Sequence, residues 1–440
     1  MKREFEKYLE KWRVSKDRKP LLVRGARQVG KTYTITKFAK EYFEHVVYIS
    51  FDIDRYLDVI LKETLNPREI LDAISQKLQI PIIEGKTIII FDEVQEQPRA
   101  LTSLKYFNEN MPRIHVIASG SALGVLLHKG FSFPVGKVDT QYMRALSFSE
   151  FVAAVENEEM AKILNDTDKM RFFASTFEKR LKQYFYIGGM PEIVASFVKN
   201  NDYAEVRALH EKIISDYKAD FSKYNDYDTA LKINAIFDSI PSQVSRENKK
   251  FKYSEIKKGS RADDYLVSLG WLENSDLIRK VLAIYEPKIP LKFYEQQHIF
   301  KLFINDVGLL GAMIGIHSET ILQGNALFTE FKGALAEQFI CSHLYSNFHR
   351  MNYWTTEQSK NEIDFLISAW DTPVPIEVKS GFNTQAKSLK VFREKYQPKL
   401  SFRLSLNDYN QSDDLIDLPL YAVHLIPKII EEYNKNGLLT

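Results

Sequence analysis

The eight residues Gly25-Ala26-Arg27-Gln28-Val29-Gly30-Lys31-Thr32 constrain this chain more than any other feature. They satisfy the spacing G-x-x-x-x-G-K-[ST] without exception, after the apolar run 21–24 and at the head of a helical pattern over 33–43. A strand that turns through glycines into a helix aims successive backbone N–H groups at one point, and the helix N-terminus adds positive potential there. Such a loop cradles phosphates. The lysine that ends it places charge at the β/γ-phosphates, and the hydroxyl beside it serves Mg²⁺. The residues from Gly25 to Thr32 are therefore expected to hold ATP with Mg²⁺.

The second half of such a site is Thr87-Ile-Ile-Ile-Phe-Asp92-Glu93, an apolar strand with two acids at its end. Asp92 is expected to join Thr32 in the metal shell, and Glu93 to polarise the attacking water as catalytic base. The next apolar run, 115–118, ends in Ser119-Gly-Ser121. Ser119 reads either as a contact to the terminal phosphate or as a simple turn hydroxyl. Runs 21–24, 46–51, 87–91, 115–118 and 141–146 alternate with helical patterns, which predicts an α/β fold with a parallel sheet covered by helices.

At 440 residues the chain exceeds one core. Cys341 is the single cysteine, so no internal disulfide forms and a reducing, cytoplasmic setting is expected. The charged segment 1–19 lacks a signal-peptide core, and no apolar run has membrane-spanning length, so no membrane partner is expected. A net charge of +2 makes any nucleic-acid argument a local one.

The runs GARQVGKT, FDEVQE, ALSFSEF (145–151), GGMPE (188–192) and KLFINDVGLLGAM (301–313), with the ending YWTTEQSKNEIDFLIS and PIEVKSG, carry a resemblance. The chain resembles AAA-type P-loop ATPases with a C-terminal DUF4143 region, relatives of the archaeal-type ATPases. Two positions depart from that pattern. Ala145 replaces the usual proline, and Lys137 stands where the family tends to have an arginine, a candidate γ-phosphate finger. The resemblance implies a P-loop NTPase core (1–148), a helical lid (149–235), a winged helix-turn-helix (236–300) and a small α/β restriction-endonuclease-like domain (301–440).

In the last of these, Glu337 lies on a largely apolar helical stripe. Asp364 falls on a strand opposite Ile363, Phe365 and Ile367, and Glu377 and Lys379 share one face of the next strand. Helix Glu, strand Asp and strand Glu-x-Lys is the arrangement of PD-(D/E)xK nucleases. Glu337, Asp364 and Glu377 are the expected metal ligands, and Lys379 the residue that orients the attacking water. The alternative is a structural acid–lysine cluster.

Residues 246–261 carry seven basic and two acidic side chains. They precede a helix at 261–269 and an apolar strand at 278–285, the plan of a winged helix that would place a helix on DNA. Asp263 and Asp264 open that helix and argue against phosphate contact. The expected partners are ATP and, as a candidate, DNA, with a homo-oligomer compatible. The rival expectation is a nucleotide-controlled protein-interaction switch.

Overall fold

Apolar runs that are buried on both faces cannot sit at a surface, and β3 (Thr87–Asp92) is such a run, buried throughout. Ile88 and Ile90 point into one cluster, with Leu21, Val23 and Ile117, whereas Ile89 and Phe91 point into another, with Val47, Ile49 and Val116. This is the burial expected of a central parallel strand with helices on both sides. The computed structural model describes residues 1–121, 134–245, 249–323, 326–348, 350–358, 360–382 and 385–437, without the side chains of 322–330. The start of the basic run, 246–248, and Ser359 of the C-terminal motif lie outside the described residues.

The chain divides into two units, Met1–Ala145 with Gly270–Leu277, and Leu146–Leu269 with Ile278–Thr440. The first unit runs α1 (Glu4–Val14), β1 (Leu21–Arg24), α2 (Lys31–Tyr42), β2 (His45–Ser50), α3 (Tyr56–Glu63), α4 (Pro67–Leu78), β3, α5 (Pro98–Asn110), β4 (His115–Gly120) and β5 (Asp139–Tyr142). Its five strands form one parallel sheet in the order β2-β3-β4-β1-β5. The strand expected at 141–146 is β5, shifted toward the N-terminus because Tyr142 pairs with Arg24, the last residue of β1.

The second unit opens with helices: α6 (Phe148–Val155), α7 (Glu158–Ile163), α8 (Thr167–Met170), α9 (Ala174–Ile187), α10 (Pro191–Asn200), α11 (Tyr203–Tyr224) and α12 (Tyr227–Val244). After α13 (Leu266–Asn274), whose residues from Gly270 on count with the first unit, come β6 (Ile278–Ile284), β7 (Glu295–Ile304), α14 (Val307–Ile314), α15 (Ser318–Gln323) and α16 (Ala326–Leu344). The chain closes through β8 (Asn352–Thr355), β9 (Glu362–Ala369), β10 (Thr372–Val378), α17 (Lys387–Tyr396), β11 (Ser401–Ser405), β12 (Asn410–Ser412), β13 (Leu415–Pro419) and α18 (Ile426–Lys435). An eight-stranded mixed sheet runs β12-β13-β11-β10-β9-β8-β6-β7. The strand expected as a β wing is thus β6, an interior strand of this sheet, antiparallel to β7 and parallel to β8. Its residues Ile278, Arg279, Val281, Ala283 and Ile284 are buried, whereas a wing would leave one face in water.

Several motif residues that carry the resemblance meet in one knot of this unit. Gly188 has φ 72°, and a Cβ there would lie 2.1 Å from Asp306 Oδ1. Asp306 caps α14 through the N–H groups of Gly308 (2.9 Å) and Leu309 (3.0 Å), and accepts the Gly189 N–H at 2.7 Å. The Leu146 N–H donates to the Gly189 carbonyl at 2.6 Å, and Ser147 then caps α6 reciprocally with Glu150. ALSFSE, GGMP and FINDVG therefore join three segments of the fold.

The same region sets a pH dependence. His343 Nε2 accepts the Phe148 N–H at 2.9 Å while Nδ1 bonds the Phe339 carbonyl at 2.8 Å, which fixes the neutral imidazole. Burial pushes His210 down to about 3, and His343 and His424 down to about 4. Burial pushes Asp306 up to about 6, against its three backbone N–H donors. Unfolded chain protonates its histidines near about 6.5, so acidification below that value favours unfolding. Asp306 works the other way, because its folded form takes a proton first. The stability that these three histidines contribute should therefore be level above about pH 7 and fall between about pH 6.5 and 4, and a His343→Gln variant should show a shallower fall than wild type. Denaturant midpoints of both proteins across that range check this; an equal fall in the two would contradict it.

Candidate functional site

Because all five strands of the first unit run parallel, their C-terminal ends share one edge. The loop after β1, the acids after β3 and Ser119 near the end of β4 all lie on that edge, where open α/β sheets bind ligands. The loop's conformation depends on its glycines. Gly25 has φ 148°, and a Cβ there would fall 2.0 Å from the Met143 carbonyl oxygen. Gly30, at φ 89°, provides the left-handed entry to α2.

Lys31 is buried, and its Nζ donates to the carbonyls of Gly25 (2.9 Å) and Ala26 (2.8 Å). Burial lowers its pKa, while the charges of Glu93, Asp92 and Asp276 oppose that shift. An ammonium held by loop carbonyls is set to exchange them for phosphate oxygens. Asp92 is the hub of the site. Its Oδ2 accepts from Thr32 Oγ1 at 2.7 Å and from the Tyr48 hydroxyl at 2.8 Å, and its Oδ1 accepts from Ser119 Oγ and from the Glu93 N–H at 3.1 Å. Thr32 and Asp92 thus present hard oxygens side by side, a pair that fits Mg²⁺.

Glu93 sits at φ 52°, partly buried, with the Gln95 amide donating to its Oε2. Burial raises its pKa above the usual carboxylate range, the direction expected of a general base. The predicted residues Gly25 to Thr32, Asp92, Glu93 and Ser119 therefore come together at one edge. Ser119 contacts Asp92 in this state, which makes it more than a turn hydroxyl.

The sequence matches the AAA domain family over residues 17–152 and a Domain of unknown function (DUF4143) over 332–422. The chain joins an AAA domain to a DUF4143 domain. A further match, to a Domain of unknown function (DUF8612), covers 178–320. No curated protein matches the sequence. Among solved structures, the Walker-type ATPase PABY2304 of Pyrococcus abyssi is 15% identical, with 71% of this chain and 95% of that chain covered and a TM-score of 0.45. Cdc6p from Pyrobaculum aerophilum is 12% identical (73% and 92% covered, TM-score 0.25). The Aeropyrum pernix Orc1 protein, solved in complex with DNA, is 10% identical (71% and 90% covered, TM-score 0.28).

Within the AAA domain the expected role of Lys137 is corrected. Lys137 precedes β5, at the N-terminal edge of a parallel sheet whose nucleotide loop lies at the opposite edge, and it pairs with Glu109 at 2.9 Å. It does not face the phosphate site of its own chain. Tyr48 and Asp276 are functional neighbours that sequence reasoning missed. Tyr48 sits mid-strand on β2 and gives no motif signal, and Asp276 reaches the unit from a segment remote in sequence.

In the second unit, Glu337 on α16, Asp364 on β9, Glu377 on β10 and Lys379 beyond it form one charged centre, with Lys379 Nζ 2.7 Å from Glu377 Oε1. Two further lysines enter it. Lys249 bonds Glu337, and Lys301, 1% exposed on β7, bonds Glu362 and stands 3.9 Å from Glu337 Oε2. Burial opposes the charge on Lys301, but Glu362, Glu337 and Asp364 outweigh it and raise its pKa. Asp364 keeps part of its surface in water and accepts the Val378 N–H at 2.8 Å. The burial of its carboxyl group and the charges of Glu337 and Glu377 still push its pKa well up, toward the protonated form.

Glu337 Oε2 and Glu377 Oε2 are buried without hydrogen-bond partners. Nevertheless, among the described residues no group of three His, Cys, Asp or Glu side chains could hold a metal ion. The expected metal set Glu337, Asp364 and Glu377 shares this centre with the ammonium groups of Lys249, Lys301 and Lys379. Among the described residues no helix is long and apolar enough to cross a membrane.

Proposed function

We propose that this protein is a Mg²⁺-dependent ATPase whose AAA domain both binds and hydrolyses ATP, with the second unit as its effector body. The observation that carries this reading is the convergence of Thr32 and Asp92, 2.7 Å apart, beside the partly buried base Glu93. Loop N–H groups would hold the β- and γ-phosphates, and Lys31 would leave the Gly25 and Ala26 carbonyls for the phosphate oxygens. Mg²⁺, held by Thr32 and Asp92, would supply charge neutralisation across those phosphates. Glu93 would take the proton of a water as its oxygen bonds to the γ-phosphorus and the bond to the β–γ bridging oxygen breaks. Ser119 would keep Asp92 oriented, and Gln95 would release Glu93 when the water enters.

For the second unit, a docking role is better supported than DNA cleavage, because lysines neutralise the acidic centre. The basic run offers little to DNA. Lys249 turns into that centre, Lys250 is partly buried, and the exposed Lys252, Lys257, Lys258 and Arg261 are interspersed with exposed Glu255, Asp263 and Asp264. The test is direct: phosphate release from ATP by the full chain with Mg²⁺ and with chelator, and fluorescence anisotropy of duplex and branched DNA at low salt. Hydrolysis lost with chelator is expected, together with no DNA binding. Tight, salt-dependent DNA binding would instead favour action on DNA.

A further inference from the structure

A phosphate-binding loop works only if its N–H groups face inward, which forces its carbonyls outward, where each needs a donor once buried. Lys31 serves those of Gly25 and Ala26. The carbonyl at the crest of the loop, that of Val29, accepts from Arg3 Nη1 at 3.0 Å. The other arm of the same guanidinium, Nη2, donates to the Arg144 carbonyl at 2.7 Å. Arg144 follows Met143, whose carbonyl oxygen closes against Gly25. Arg3 is 6% exposed and stands just before α1, which packs Leu9 and Trp12 against the sheet. The match to the AAA domain family begins only at residue 17.

We propose that Arg3, outside the matched AAA domain, is a positioning residue of the nucleotide site that staples the crest of the phosphate loop to the wall behind Gly25. This rests on the nucleotide-binding reading of that loop. The two lysine-bound carbonyls must be released when Lys31 turns to phosphate, whereas the Val29 carbonyl need not be. Arg3 therefore holds the loop open to phosphate through the whole cycle, and its planar fork suits two acceptors from segments far apart in sequence. A loop set in its bound shape beforehand binds more tightly, because the ordering cost is already met.

The test uses the full chain, a fluorescent ATP analogue with Mg²⁺, and saturating ATP for turnover. R3Q should raise the Kd about tenfold, the size of effect expected for charge-assisted hydrogen bonds, and leave kcat within about twofold because Glu93 is untouched. R3K, with the charge but no fork, should fall between R3Q and wild type. K37M removes a different polar tie of α1, the 2.9 Å pair of Lys37 with Glu6, and should bind as wild type does. Equal affinity of R3Q and wild type, or an equal loss in K37M, would overturn the proposal while leaving the nucleotide site standing. A wild-type protein that binds no ATP would remove both.

Discussion

Glu93→Gln is expected to bind ATP about as tightly as wild type and to hydrolyse it at least about a hundredfold more slowly. The amide keeps the size and the partial burial of the side chain but cannot accept the water's proton. The raised pKa of Glu93, caused first by burial, means that the carboxylate holds a proton more firmly than a surface acid would, which is useful in a base. Lys31→Ala should behave differently and lose ATP binding itself, since the ammonium that the loop encloses disappears. Calorimetry for binding and phosphate release for turnover separate the two variants. Normal turnover in Glu93→Gln would move the base elsewhere, and unchanged affinity in Lys31→Ala would defeat the assignment of the loop.

The glycine-lysine loop, the acids beside it and the parallel sheet were legible because each is a local pattern. The loop is a spacing, Asp92-Glu93 ends an apolar strand, and strand–helix alternation fixes the layers. Tyr48 was not legible, because its reach to Asp92 depends on β2 lying beside β3 in a register that pairs Ser50 with Asp92. Arg3 was hidden for the same reason: its partners lie 26 and 141 residues away. The wing was misplaced because an apolar strand reads alike at an edge and in a sheet interior, and only pairing with β8 decides. Lys301 did carry a signal. It stands within the apolar run Phe300-Lys-Leu-Phe-Ile304, buried throughout, where a charge demands compensation.

Lys301→Met tests whether lysine rather than metal balances the acids of the DUF4143 domain. Methionine fills similar volume but leaves Glu337, Glu362 and Asp364 with one cation fewer in a buried centre. Breaking such a compensated cluster from one side costs about 3–5 kcal/mol. The sign of its pH dependence follows from the acids. Without Lys301 the pKa of Asp364 rises further and Glu337 loses one of the cations that lower its pKa, so the deficit should be large at pH 8 and shrink as these acids take protons toward pH 5. Lys301 itself, with its folded pKa raised, contributes fully below its unfolded value of 10.5. Urea midpoints of both proteins at the two pH values read this directly. Mn²⁺ supplies the second measurement, made in an Asp92→Asn background so that the AAA site takes no part. The parent with Lys301 in place should gain no stability from Mn²⁺, because ammonium groups occupy the centre. A clear rise in its midpoint with Mn²⁺ would show that the carboxylates do gather a metal, and would restore the nuclease-like reading of Glu337, Asp364 and Glu377.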